Sequence, residues 1–268
     1  MSESTPVAQK ATLSADQRKA VAALLRSSTS PTVAELGEIF TAAGHELALV
    51  GGPVRDVFLG GHPKDLDLTT DAVPERVLEI TRGWADKTWT VGIEFGTVGL
   101  RKRGEIFEIT TYRSEAYDRA SRKPEVKYGT SLVADLERRD YTINAMAARL
   151  PSFELVDPFG GLDALREEVI RTPGRPEDSF SDDPLRILRA ARFTARLGFG
   201  VADEVQAAMR AMAARLSVVS AERITDELSK LMLTVTPEAG LDLLVRTGVA
   251  NAILPELPAL RMEVDEHH

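Results

Sequence analysis

The chain has 268 residues, 43% of them hydrophobic, a formal net charge of −8 and no cysteine, enough to bury an ordinary core as one large domain or two small ones. Without thiols there is no disulfide framework, thiolate zinc site or cysteine nucleophile, so any metal is held mainly by oxygen or imidazole, which favours hard cations such as Mg2+; the acidic balance excludes coating of nucleic acid by bulk electrostatics, so any RNA contact is local. No apolar stretch approaches the roughly 20 residues of a membrane span, and the polar start MSESTPVAQKATLSADQRK has no apolar signal region, so the expectation is a soluble, cytoplasmic protein with no membrane partner.

The first twelve residues read as disordered, and helical apolar spacing then covers 14–26 and 32–43, parted by a turn-like stretch at 27–31. Strands are predicted at 47–50, 66–69, 88–93, 97–101 and 105–112, the last four grouped with glycine-containing turns. A helix is predicted at 54–59, and another begins after Ala72 with Pro74 in its first turn. The charged segment 115–130, broken by Pro124 and Gly129, reads as a mobile loop. Beyond Leu132 the pattern turns helical: 140–149, a short strand and turn in FELVDPFGG, a long helix at 182–197 closed by Gly198, then 202–215, 220–233 and 237–247, with LPELPAL breaking the end. A β-rich part thus precedes an all-helical one, an α+β class without internal repeats.

Chemistry concentrates in LALVGGPVRDVFLGGHPKDLDLTT. After the apolar strand, Gly51 and Gly52 permit a tight bend that exposes backbone N–H groups, and the following helix adds a positive end where a triphosphate can sit, with Arg55 beside it. An ordinary turn explains the same glycines. Asp65 and Asp67 alternate with Leu66 and Leu68, so the two acids share one strand face while the leucines enter the core. Aspartate is depleted in strands and adjacent acids repel; either divalent cations bridge the pair, or this is an exposed edge strand with solvated acids. In the strand Phe107-Glu108-Ile109, Glu108 is a third acid of the same alternation, or a surface glutamate.

Further on, Arg138, Arg139, Asp140 and Asn144 either hold phosphate and ribose or are solvated and capping residues. Asp157 with Gly160 and Gly161 reads as a turn between domains. Asp183 and Arg186 are three apart on the predicted long helix, and Arg189 and Arg192 continue the row: an intrahelical ion pair, or a surface facing a polyanion. A carboxylate beside a guanidinium also matches cytosine and adenine, which both present an amine donor next to a ring-nitrogen acceptor; guanine and uracil present the reverse. The histidines His45, His62, His267 and His268 read as ordinary surface or terminal residues.

Taken in order, these segments resemble the class II tRNA nucleotidyltransferases and the related bacterial poly(A) polymerases. The pattern GGxVRDxxLGxxxxDxD is met by Gly51, Gly52, Val54, Arg55, Asp56, Leu59, Gly60, Asp65 and Asp67. The stretch Phe107 to Arg113 resembles the strand of the third acid, Arg139, Asp140 and Asn144 the ribose-reading motif, Asp183 and Arg186 the base-reading motif, and Ser220 to Ile224 with Glu227 a helix-bracing motif. Asp182 stands where that family usually has Glu. The resemblance implies a polymerase-beta-like head at 29–150 after a tail and helix at 1–28, a helical neck at 151–217 and the start of a helical body at 218–268, with most of the tRNA-gripping body and tail missing. It further implies two Mg2+ ions on Asp65 and Asp67 with Glu108, CTP and ATP as substrates, and the tRNA 3′ end as partner. Three other readings stand: a poly(A) polymerase, a partial CC- or A-adding enzyme, against which the long 115–130 loop leans, or a non-catalytic nucleotide- or RNA-binding module. No oligomeric state follows from the sequence.

Overall fold

The computed structural model describes residues 13–63, 65–113 and 128–259. The expected disordered start, most of the 115–130 loop, His267 and His268 lie outside these residues. The chain divides into two compact units, 1–139 with 143–163 and 140–142 with 164–268.

In the first unit α1 (Ala15–Ser28) opens with a capping box, in which Ser14 Oγ accepts from Gln17 N–H at 3.2 Å and the Gln17 side chain accepts from Ser14 N–H at 2.8 Å. Then follow α2 (Pro31–Ala42), β1 (Leu47–Val50), α3 (Gly52–Phe58), β2 (Asp65–Thr70), α4 (Pro74–Ile80), β3 (Lys87–Trp89), β4 (Thr97–Lys102), β5 (Glu105–Thr111), α5 (Leu132–Glu137), β6 (Ala147–Leu150), β7 (Glu154–Val156) and α6 (Gly161–Arg166). The strands form one seven-stranded sheet in the order β3-β4-β5-β2-β1-β6-β7. Every pairing is antiparallel except β2 with β5, which run parallel with Asp67 opposite Glu108.

The alternation of polar and apolar residues gives the sheet two unlike faces. One buries Leu47, Leu49, Leu66, Leu68, Val98, Leu100, Phe107 and Ile109, each at most 4% exposed, with α2 against β1 and β6 and α4 against β4 and β5. The other buries Ala48, Val50 and Ala147 with Leu132 and Leu136 of α5, and away from that cluster it exposes Asp65, Asp67, Ile106 and Glu108.

The second unit holds β8 (Val169–Ile170), α7 (Pro176–Asp182), α8 (Arg186–Leu197), β9 (Gly200–Val201), α9 (Asp203–Met212), α10 (Ala221–Met232), α11 (Pro237–Arg246), α12 (Ala250–Ile253) and α13 (Glu256–Ala259). Its core forms where α8 packs on α10 and α11. Among the described residues no helix is long and apolar enough to cross a membrane.

Three expectations are corrected. The helix expected at 140–149 is a one-turn 3-10 segment, Thr142–Asn144, followed by β6. The alanines of this stretch favour helix, but pairing with both β1 and β7 overrides that weak preference. The long helix expected at 182–197 begins only at Arg186: α7 ends at Asp182, and Pro184 disfavours helical geometry at Asp183, which is extended (φ −143°, ψ 100°). The strand expected at 88–93 stops at Trp89, and a 3-10 turn, Ile93–Phe95, begins after Gly92.

Leu68 is 1% exposed at the centre of the sheet, opposite Leu49. Leu68→Ala should cost about 2–5 kcal/mol, the range for emptying a buried leucine site. Urea unfolding followed by circular dichroism measures this, and a loss below about 1 kcal/mol would mean that this face does not form the core.

Candidate active site

The acids are placed by strand geometry. Parallel pairing sets Asp67 directly opposite Glu108 and Asp65 opposite Ile106, and cross-strand partners project from the same face. Asp65, Asp67 and Glu108 are all exposed there, while their strand neighbours Leu66, Leu68, Phe107 and Ile109 are anchored in the core behind. The Asp67 carboxyl is pushed above the usual carboxylate range, first by its partial burial against the sheet and then by the negative charges of Glu108 and Asp65, with Arg139 opposing. Asp67 therefore feels the charge of both other acids.

Arg139 is held by a residue outside the motifs read from the sequence, Asp135. Asp135 of α5, 8% exposed, accepts from Arg139 Nη2 at 3.2 Å and from Thr69 Oγ1 at 3.3 Å through Oδ2, and from Arg113 N–H at 3.4 Å through Oδ1. Thr69 lies two residues beyond Asp67 on the same face, so this carboxylate ties α5 to the acidic strand and sets Arg139 beside it. The one available sequence signal was the i,i+4 spacing of Asp135 and Arg139.

The glycine bend lies against the same arginine. Gly51 has φ 72° and ψ −129°, a backbone conformation that calls for glycine, and a Cβ there would come within 3.0 Å of Arg139 Nη1. Gly51 N–H donates to Met146 O at 3.2 Å, fixing the bend onto the segment that leads into β6, and Gly52 begins α3. Arg55 is 2% exposed; its Nη1 donates to Asn144 Oδ1 at 2.6 Å and its Nε and Nη2 to Asp56 Oδ1 at 2.8 and 2.7 Å. Arg55 and Asn144 thus brace the bend from within.

The second unit gathers the other expected residues. Arg189 Nη2 lies 2.7 Å from Asp140 Oδ2, and Arg192 Nε donates to Glu227 Oε2 at 2.6 Å. Burial works against the Arg189 charge, but Asp140 and Glu227 outweigh it and raise its pKa. Asp183 is not one turn from Arg186 on a single helix: from the break before α8 its Oδ1 accepts from Leu185 N–H at 3.2 Å and its Oδ2 from Arg223 Nη2 at 2.9 Å. Arg186 Nη1 donates to Ser179 Oγ at 2.7 Å. Asp157 accepts from the N–H groups of Gly161 and Leu162 at 2.7 and 2.9 Å, capping α6.

Among the described residues no group of three or more His, Cys, Asp or Glu side chains is placed to hold a metal ion by itself. Carboxylate oxygens presented side by side on adjacent strands do suit a hard divalent cation whose remaining ligands are phosphate and water oxygens.

Residues 47–171 match the family described as the poly A polymerase head domain, and residues 198–260 the one described as the probable RNA and SrmB-binding site of polymerase A. The chain is 40% identical over 222 residues to a CCA-adding enzyme of Anoxybacillus flavithermus, covering 82% of this chain and 54% of the relative. It is also 40% identical over 215 residues to one of Geobacillus stearothermophilus, covering 80% and 52%. The solved CCA-adding enzyme of Bacillus stearothermophilus in complex with CTP is similar with TM-score 0.75 at 38% identity, over 85% of this chain and 55% of that one. The Thermotoga maritima CCA-adding enzyme complexed with tRNA is similar with TM-score 0.76 at 29% identity, over 88% and 56%. The chain therefore spans about half the length of the curated relatives it matches.

A carboxyl whose folded pKa is raised above 3.8 binds its proton more tightly in the fold, so stability falls as pH rises through the raised value. Asp67→Asn should therefore raise the melting temperature at pH 7 in chelator, with the gain vanishing below about pH 4. Calorimetry across pH checks this; a lower melting temperature at pH 7 would mean that Asp67 is not under repulsion.

Proposed function

The chain belongs to the class II tRNA nucleotidyltransferase and bacterial poly(A) polymerase family, and from that premise we propose that it adds C, C and A to the 3′ end of tRNA from CTP and ATP, with Mg2+ as the ion, in the cytoplasm. The observation that carries the reading is the pairing of Asp67 with Glu108, with Asp65 on the same face, in a unit where Arg139 meets both the acids and the Gly51 bend.

In the proposed reaction the RNA 3′-hydroxyl oxygen bonds to the α-phosphorus of the incoming nucleotide, the bond to the β-phosphate oxygen breaks, pyrophosphate leaves and the hydroxyl proton passes to solvent. Asp65, Asp67 and Glu108 would hold the divalent ions, which when bound lower the hydroxyl pKa and neutralise charge on the leaving group. Positioning and electrostatics supply most of the acceleration in such a transfer, so no covalent nucleophile is needed. Gly51 leaves room for the triphosphate to approach the backbone, and Arg139, aimed by Asp135, offers a guanidinium to its phosphates. Arg55 and Asn144, bonded to each other, keep the bend in place and stand beside it for the nucleotide.

Base choice falls to Asp183 and Arg186. The carboxylate accepts the exocyclic amine of cytosine or adenine and the guanidinium donates to the adjacent ring nitrogen; uracil and guanine would set donor against donor. Arg223 and Ser179 hold these two side chains in place. Arg189 and Arg192, matched to Asp140 and Glu227, stiffen the same helix, and Asp140 stays at hand for the ribose.

Incubation with tRNA lacking its terminal nucleotides and single nucleoside triphosphates tests the reading. Stepwise incorporation of C, C and A is expected. Long A tracts would identify a poly(A) polymerase, and uptake of UTP or GTP would contradict the base-reading assignment. Asp65→Ala should lower the rate by on the order of 10²–10³-fold, the scale for losing one pre-organised electrostatic contact. An unchanged rate would remove the metal acids from the mechanism.

A further inference from the structure

We propose that the β3–β4 edge of the sheet, on the face of the acids, is a platform for the single-stranded 3′ end of the RNA being extended: Trp89 stacks on a nucleobase and Lys87 and Arg101 meet its phosphates. The proposal rests on the nucleotidyltransferase reading above.

The register puts these residues in line. Trp89 is paired with Gly99, Gly99 with Glu108, and Glu108 with Asp67, one row across four strands. The next row on the same face runs Lys87, Arg101, Ile106, Asp65. The indole lies down across the row: a Cβ on Gly99 would fall 2.0 Å from Trp89 Nε1 and Cε2 and 2.5 Å from Cζ2. With strands about 4.8 Å apart, the ring covers the strand between the edge and Glu108. Glycine at 99 is what permits this, since any side chain there would stand the indole off the sheet.

That tryptophan is not needed by the core. The opposite face is filled by Leu100 and Phe107, with Trp84 meeting the Phe107 ring edge-on at 5.8 Å between centroids. Trp89 is half-buried, Ile106 is 44% exposed, and Lys87 and Arg101 are exposed. A flat aromatic flanked by cations is the arrangement that holds single-stranded nucleic acid, here on a chain of net charge −8. Asp86, next to Lys87 in the chain, accepts from Arg103 N–H at 2.7 Å and from Lys102 Nζ at 3.3 Å.

Position relative to the acids selects RNA over the nucleotide. In the sheet order, β1 and its Gly51 bend lie on one side of β2, and β5, β4 and β3 on the other. In-line displacement needs the attacking oxygen and the leaving pyrophosphate on opposite sides of the phosphorus. A triphosphate at Gly51 therefore requires the 3′-hydroxyl to arrive from the side on which Trp89 lies.

The protein contains two tryptophans, so Trp84→Phe leaves Trp89 as the sole emitter. Titration of that protein with a tRNA acceptor minihelix ending in CC should quench its fluorescence, while CTP alone should not. Trp89→Ala should raise the KM for the minihelix by about 10-fold or more, the effect of one lost base stack, with kcat and the KM for CTP unchanged. Trp89→Phe should restore most of that loss, and Gly99→Ala should reproduce it with a shifted emission maximum. Lys87→Gln with Arg101→Gln should flatten the dependence of log affinity on log salt by about 1.4, at about 0.7 per phosphate contact on a single strand. Absence of quenching by saturating minihelix, equal quenching by CTP, or a Trp89→Ala effect confined to kcat would overturn the proposal. If the wild-type protein adds no nucleotide, the nucleotidyltransferase reading fails on its own account, and quenching still reports whether RNA occupies the platform.

Discussion

Two carboxylates facing each other across a parallel pair of strands repel one another, and the fold holds Asp67 and Glu108 in that position. The restraint comes from behind the sheet. Leu66, Leu68, Phe107 and Ile109 alternate with the acids and are buried in the core, each contributing roughly 1.5–3 kcal/mol by leaving water, far more than the repulsion of exposed charges costs. The strands cannot slip by one residue to separate the acids without turning those four side chains out to solvent. Strain of this kind is expected where a site is built for a ligand that relieves it.

Around that pair the protein uses its own charges as spacers. Asp135 aims Arg139 at the acids and at Gly51. In the second unit Asp140, Glu227 and Asp183 are matched with Arg189, Arg192 and Arg223. Most of these groups are partly or fully buried, where an ion pair adds little net stability and removal of one partner is costly. Their value lies in fixing side chains that a nucleotide would meet already in place.

The sequence was informative wherever function and local periodicity coincide. Alternation in Asp65-Leu66-Asp67-Leu68 gave the strand, its core face and the shared side of the acids, and the Gly51-Gly52 pair marked the bend. It was misleading where long-range pairing decides. Residues 140–149 have good helix-forming alanines, yet the segment is a strand between β1 and β7. The regular spacing of the arginines belongs to α8 alone; Pro184 breaks the chain before it, so Asp183 lies outside that row. Asp135 offers no more in the sequence than its i,i+4 spacing to Arg139, and the pairing of Arg223 with Asp183 depends on a partner brought close only by folding. Trp89 over Gly99 is of the same kind: neither residue is notable until the register sets them together.

The proposed role of the acidic face is to gather divalent ions against a bound triphosphate. Mn2+ titration monitored by electron paramagnetic resonance in the presence of CTP measures this. Two bound ions per chain are expected in the wild-type protein, with loss of both tight sites in Asp65→Asn with Glu108→Gln. Equal stoichiometry and affinity in the two proteins would contradict that role.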